Sequence, residues 1–120
     1  MGAARVAELM RPKLFAEGTP DATVKATIEV ISASNPASIA ASQLAMAARP
    51  DSTGLLPSVK VPTLVVVGEQ DSLTTPEAMR EMADLIPDSR YAEIAGAGHM
   101  APVEQPKAVN TALREFVESL

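Results

Sequence analysis

Apolar residues follow two different rhythms along this chain, and the change falls near Leu55. Before it they recur every three to four positions, the spacing that lines one face of a helix. Val6, Leu9, Met10 and Leu14 predict a first helix, which Pro12 should end or kink because proline lacks an N–H and crowds the preceding turn. Glu17-Gly18-Thr19-Pro20 is a break, after which Asp21 to Ala33 sets Val24, Ile28 and Ile31 on one face. Ser34-Asn35-Pro36 interrupts again, and an Ala-rich helix follows from about Ala37 to Ala48. These three helices carry few large side chains and read as covering layers.

Leu55 to Lys60 is a connector, and Val61-Pro62-Thr63-Leu64-Val65-Val66-Val67-Gly68 then changes the period. A β-branched run without polar alternation marks a strand buried on both faces, as in parallel sheets. Thr75 suits a helix N-cap, Pro76 the first helical position and Glu77 the positive end of the dipole. Met79, Met82, Ala83 and Ile86 form the stripe of that helix, Pro87-Asp88-Ser89 ends it, and Arg90 to Ile94 reads as a second strand. Strand, helix and strand in this order predict a right-handed crossover and parallel pairing. Past a glycine-containing loop, Ala95 to Ala101, a last helix begins near Pro106 with Val109, Ala112, Leu113, Phe116, Val117 and Leu120 on one face. The expectation is an α/β fold with two parallel strands and about five helices.

Composition narrows the function. The 120 residues hold 15 acidic and 10 basic side chains, a net charge of −5, and the cations are scattered singly. A nucleic-acid partner needs a concentrated basic face and is not expected. There is no cysteine, so thiol chemistry and disulfides are excluded. Leu64 to Val67 falls far short of the roughly 20 apolar residues of a membrane span. The chain is expected to be soluble, cytoplasmic and without a membrane partner. Aromatics are only 2% of residues, which leaves Ala, Val, Leu, Ile and Met to build the core.

Two polar residues stand just past the carboxyl ends of the predicted strands, where open α/β sheets place their ligands. Asp71 follows the first strand in Gly68-Glu69-Gln70-Asp71, and His99, the sole histidine, follows the second in Gly96-Ala97-Gly98-His99-Met100. Adjacent parallel strands bring these loops together, and a carboxylate on Nδ1 would hold the imidazole in the tautomer of a general base. From the residues alone, a surface histidine and a turn aspartate explain the two positions as well as a catalytic pair does. Glu69, Asp71 and His99 are a poor match to zinc, whose sites favour more nitrogen ligands. No metal and no other cofactor is expected.

Val61 to Asp71, Gly96 to Met100 and Glu104-Gln105-Pro106 together resemble the C-terminal part of α/β-hydrolases: the acid strand, the histidine loop and the approach to the closing helix. The likeness spans Val61 to Leu120, with the lactonase, esterase and haloperoxidase-like branch, including 3-oxoadipate enol-lactonases, as the nearest flavour. More loosely, residues 1–58 resemble the end of a lid and its connector, with 59–120 the hydrolase segment of a single compact unit. The resemblance implies Asp71 as triad acid, His99 as general base and a small ester or lactone as substrate. It finds no match for the nucleophile, because no G-x-S-x-G elbow occurs in the chain and no serine lies in a glycine-flanked turn.

The expected protein is therefore a truncated, partial α/β-hydrolase. Three readings stay open: an esterase or lactonase working through His99 and Asp71 without the usual serine, a non-catalytic remnant, or one half of a split enzyme completed by a second chain. Retention of both polar triad members favours the first. Two strands alone do not make a stable sheet, and an open edge is a template for another chain, so self-association should complete the sheet. Sedimentation at micromolar concentration is expected to give a dimer or larger assembly; a well-folded monomer would contradict this.

Overall fold

Strand β1, Thr63–Gly68, and strand β2, Ser89–Ile94, run parallel in one register, with Thr63 opposite Ser89 and Gly68 opposite Ile94. They form the two-stranded sheet of a computed structural model that describes residues 2–120. The N-terminal helices are α1 (Ala3–Leu14), α2 (Asp21–Ser32) and α3 (Pro36–Ala47). Helix α4 (Pro76–Leu85) is the crossover, and α5 (Ala101–Glu104) and α6 (Pro106–Glu118) follow β2.

The sheet lies between α4 and α6. Strand parity puts Val65, Val67 and Tyr91 on the α4 side, where the Tyr91 hydroxyl donates to the Pro76 carbonyl at 3.2 Å. The Ser89 hydroxyl ties the same helix from its other end, donating to the Ala83 carbonyl. The opposite side holds Val66 against a core of Ile94, Ala97, Ala101 and Val109. Sequence predicted a strand buried on both faces. Val65 and Val67 are indeed buried, but Leu64 and Val66 are only half-buried. The reason lies in α6, whose apolar stripe is buried only at Val109, leaving Leu113 and Val117 exposed, as is Leu120 beyond the helix end.

Thr75 caps α4 as expected, its hydroxyl accepting from the Ala78 N–H. Elsewhere the helices exceed the expected five. The connector winds into a 3-10 turn over Thr53–Ser58, and α5 adds four helical residues before Pro106. Helix α1 also runs through Pro12 to Leu14. So near the C-terminal end, proline forfeits one backbone bond of a turn that is already closing. Helices α1 and α2 pack on each other around the fully buried Ala7, whereas α3 buries no residue. Among the described residues no helix is long and apolar enough to cross a membrane.

Two glycines set how closely these parts approach. A side chain at Gly68 would overlap the carbonyl oxygens of Gly98 and Ala97, and one at Gly98 would come within 2.6 Å of the Ala16 nitrogen and 2.8 Å of the Phe15 carbonyl carbon. The loop after β2 is thus stacked between the end of β1 and the segment that leaves α1. Gly68→Ala and Gly98→Ala are each expected to destabilise the chain by about 1–3 kcal/mol through overpacking. Gly54→Ala, which meets open space, should stay within about 0.5 kcal/mol of wild type. Urea midpoints at constant m would measure all three.

Candidate active site

Backbone bonds carry the pairing beyond the strands and build the site. Past β1, the Glu69 N–H donates to the Ile94 carbonyl at 2.9 Å and the Gln70 N–H to the Ala97 carbonyl at 2.8 Å. Gly96, at φ 66°, turns the chain out of β2, a conformation that suits glycine. Its N–H donates to the Glu69 carboxylate. The loops carrying Asp71 and His99 are therefore zipped together from both sides.

Both predicted residues arrive at one place. His99 Nδ1 lies 2.9 Å from Asp71 Oδ2. The Asp71 side chain is 5% exposed and that of His99 35%. The other carboxylate oxygen, Oδ1, accepts the N–H groups of Leu73 and Thr74, each at 2.9 Å. The Thr74 hydroxyl donates to Oδ2 at 2.8 Å and lies 3.5 Å from His99 Nδ1. Burial by itself would raise the Asp71 pKa, but the Thr74 N–H, the Thr74 hydroxyl, His99 and the Leu73 N–H outweigh it and hold the carboxyl below its ordinary 3.8. Asp71 is then a carboxylate at neutral pH and can only accept at this contact, so in the neutral imidazole the pairing places the proton on Nδ1 and the lone pair on Nε2. No described residue hydrogen-bonds Nε2.

A recess of about 390 Å³ opens beside the pair, with Val66, Pro102 and Leu113 among its apolar walls. A larger hollow of about 630 Å³ between the 3-10 turn and α4 includes neither residue of the pair. Sequence reasoning missed Thr74 and Glu104. The first reads locally as a loop residue before a cap. The buried carboxylate of the second accepts from Gly98, Ala16 and Thr19, partners too distant to leave a local pattern.

Residues 13–106 match the family model described as the alpha/beta hydrolase fold. The chain belongs to the α/β-hydrolase family. Among solved α/β-hydrolase structures, an esterase from Thermogutta terrifontis is 41% identical with a TM-score of 0.94, the match covering 98% of this chain and 44% of the esterase. The enol-lactonase of Burkholderia xenovorans LB400 is 25% identical with a TM-score of 0.89, over 97% of this chain and 45% of that one. A pimeloyl-acyl-carrier-protein methyl ester esterase of Stenotrophomonas maltophilia is 36% identical over 70 residues, 58% of this chain and 27% of the esterase. The matched stretch covers only 24% of a putative non-heme bromoperoxidase of Mycobacterium tuberculosis and 27% of the methyl ester esterase, so the likeness spans part of these curated relatives' length.

The electrostatics of Asp71 give a pH signature. Its folded pKa is depressed, so the stability it confers is complete above the unfolded value of about 4 and is lost as pH falls through the lower folded value. Chemical denaturation is expected to show that contribution constant from about pH 5 to 7 and declining below about pH 4. Asp71→Asn should flatten that acid limb; an unchanged limb would contradict the geometry.

Proposed function

We propose that this α/β-hydrolase chain hydrolyses carboxylic esters or lactones with His99 as general base and Asp71 as the carboxylate that fixes its tautomer. The observation that carries the reading is the 2.9 Å contact between Nδ1 and a buried, ionised carboxylate at the ends of two paired strands. Nε2 takes a proton from water as the water oxygen adds to the substrate carbonyl carbon. The imidazolium then returns a proton to the leaving oxygen as the C–O bond breaks, giving an acid and an alcohol. Asp71, shielded from solvent, stabilises the imidazolium more than an exposed carboxylate would. The esterase and enol-lactonase similarities support the substrate class. Residues 1–58 then serve as a lid-derived layer and residues 59–120 as the segment that carries the pair.

A second reading is favoured by the surfaces left open. Among the described residues β1 pairs with β2 alone, and Leu113 and Val117 of α6 and Leu120 just past its end are exposed. Another copy or another chain paired along β1 would complete the sheet and cover this apolar surface. If it brings a serine to the recess, His99 deprotonates that hydroxyl and the reaction passes through an acyl-enzyme.

With p-nitrophenyl acetate, His99→Ala is expected to lower the rate by on the order of 10²–10⁴-fold. Resistance to a serine-directed fluorophosphonate marks water as the nucleophile, and inhibition marks the serine route. Equal rates for wild type and His99→Ala would end the catalytic reading and leave a non-catalytic, self-associating protein.

A further inference from the structure

We propose that Glu104 is the positioning residue of His99, linking the imidazole's loop to the segment between α1 and α2. The inference rests on the general-base reading of His99 and deepens it. Glu104 lies at the end of α5, five residues after the histidine, and is only 8% exposed. Its Oε2 accepts the N–H of Gly98, the residue just before His99, at 2.9 Å. Its Oε1 accepts the Ala16 N–H at 2.6 Å and the Thr19 hydroxyl at 2.7 Å. On the other side of His99, the Met100 N–H donates to the Leu14 carbonyl at 3.0 Å. The residues on either side of the histidine are therefore both tied to residues 14–19, Gly98 through Glu104 and Met100 directly.

A buried negative charge is costly unless donors surround it. Here three neutral donors do so, and among the described residues no cation pairs with Glu104. Filling space between α5 and the N-terminal segment needs only an apolar side chain of similar size. Serving two separate backbone segments at once needs two acceptor oxygens on one rigid group, which a carboxylate has and a carboxamide lacks. Gly98 reinforces the arrangement, because its missing side chain lets Ala16 approach close enough to share the carboxylate. Displacing the Gly98 peptide by a fraction of an ångström would swing the next residue's ring relative to Asp71, and base efficiency is sensitive to displacements on that scale.

His99 is the only histidine, so ¹⁵N NMR of the full chain reads its tautomer and its Nδ1 proton without assignment ambiguity. Wild type is expected to show the Nδ1–H tautomer with a slowly exchanging proton. In Glu104→Gln one donor loses its acceptor, and the Nδ1 proton should exchange about tenfold faster or more. With p-nitrophenyl acetate, kcat should fall about 10- to 100-fold while KM stays within about twofold. Unchanged Nδ1 exchange in folded Glu104→Gln overturns the inference. Should that variant not fold, Glu104→Asp, which keeps the charge but shortens the reach, is expected to move the exchange rate in the same direction; no change there overturns it equally. A wild-type spectrum showing the Nε2–H tautomer would instead sink the parent reading of Asp71 and His99, a result distinct from failure of Glu104 alone.

Discussion

At the end of β1 the carbonyl groups of Ala97 and Gly98 occupy the space where a side chain on Gly68 would lie. This close approach is possible because β1 and β2 are adjacent and parallel, so both chains leave the sheet at the same rim. Each later feature of the site follows from it. The bonds from Glu69 and Gln70 to the β2 side form across this gap, and Asp71 is delivered to the ring of His99. A larger residue at position 68 would separate the loops and leave the imidazole without its carboxylate.

Two buried acids do different work within this frame. Asp71 offers its oxygens to a turn and a ring: Leu73 and Thr74 hold the carboxylate in place, and the remaining capacity of Oδ2 is directed at Nδ1. Glu104 offers its oxygens to a backbone amide in each of two segments and to a threonine hydroxyl, holding the loop in which the ring is mounted. Both charges are stabilised by neutral donors, and neither meets Lys or Arg within ion-pair distance among the described residues. A lysine or arginine close to Asp71 would compete with the imidazolium for the same carboxylate and weaken the stabilisation that a general base needs.

What could be read from sequence was what local chemistry encodes. The β-branched run from Val65 to Val67 and the Thr75-Pro76-Glu77 helix start announce a strand and a helix, and the crossover rule then orients the second strand. Asp71 and His99 were visible because strand ends are where an α/β sheet keeps its chemistry. Thr74 and Glu104 were not. Thr74 looks like any loop residue before a cap, and the meaning of Glu104 lies in partners far along the chain. Helix α5 is too short to show a period, and the 3-10 turn over Thr53–Ser58 contains Pro57, which in isolation argues for a loop. The solvent exposure of the α6 stripe was illegible for another reason: amphipathicity reports that a face is apolar, not that anything in the same chain covers it.

The distribution of buried residues bears on how firmly the site is held. Ile94, Ala97, Ala101 and Val109 form the core cluster, and Ala97 and Ala101 stand on either side of His99 in the chain. The loop that presents the imidazole is thus itself part of the hydrophobic core, with Ala97 fully buried. Local opening of this loop requires exposing core surface as well as breaking the hydrogen bonds of Gly98 and Met100. By contrast α3 buries nothing and carries the exposed Leu44 and Met46, so its departure would remove little of the protein's buried apolar area. Few buried contacts are the physical signature of a low-stability region. The chain therefore joins an imidazole mounted in the core to a helix that buries nothing, so the loop of His99 is held by more buried contacts than α3 is.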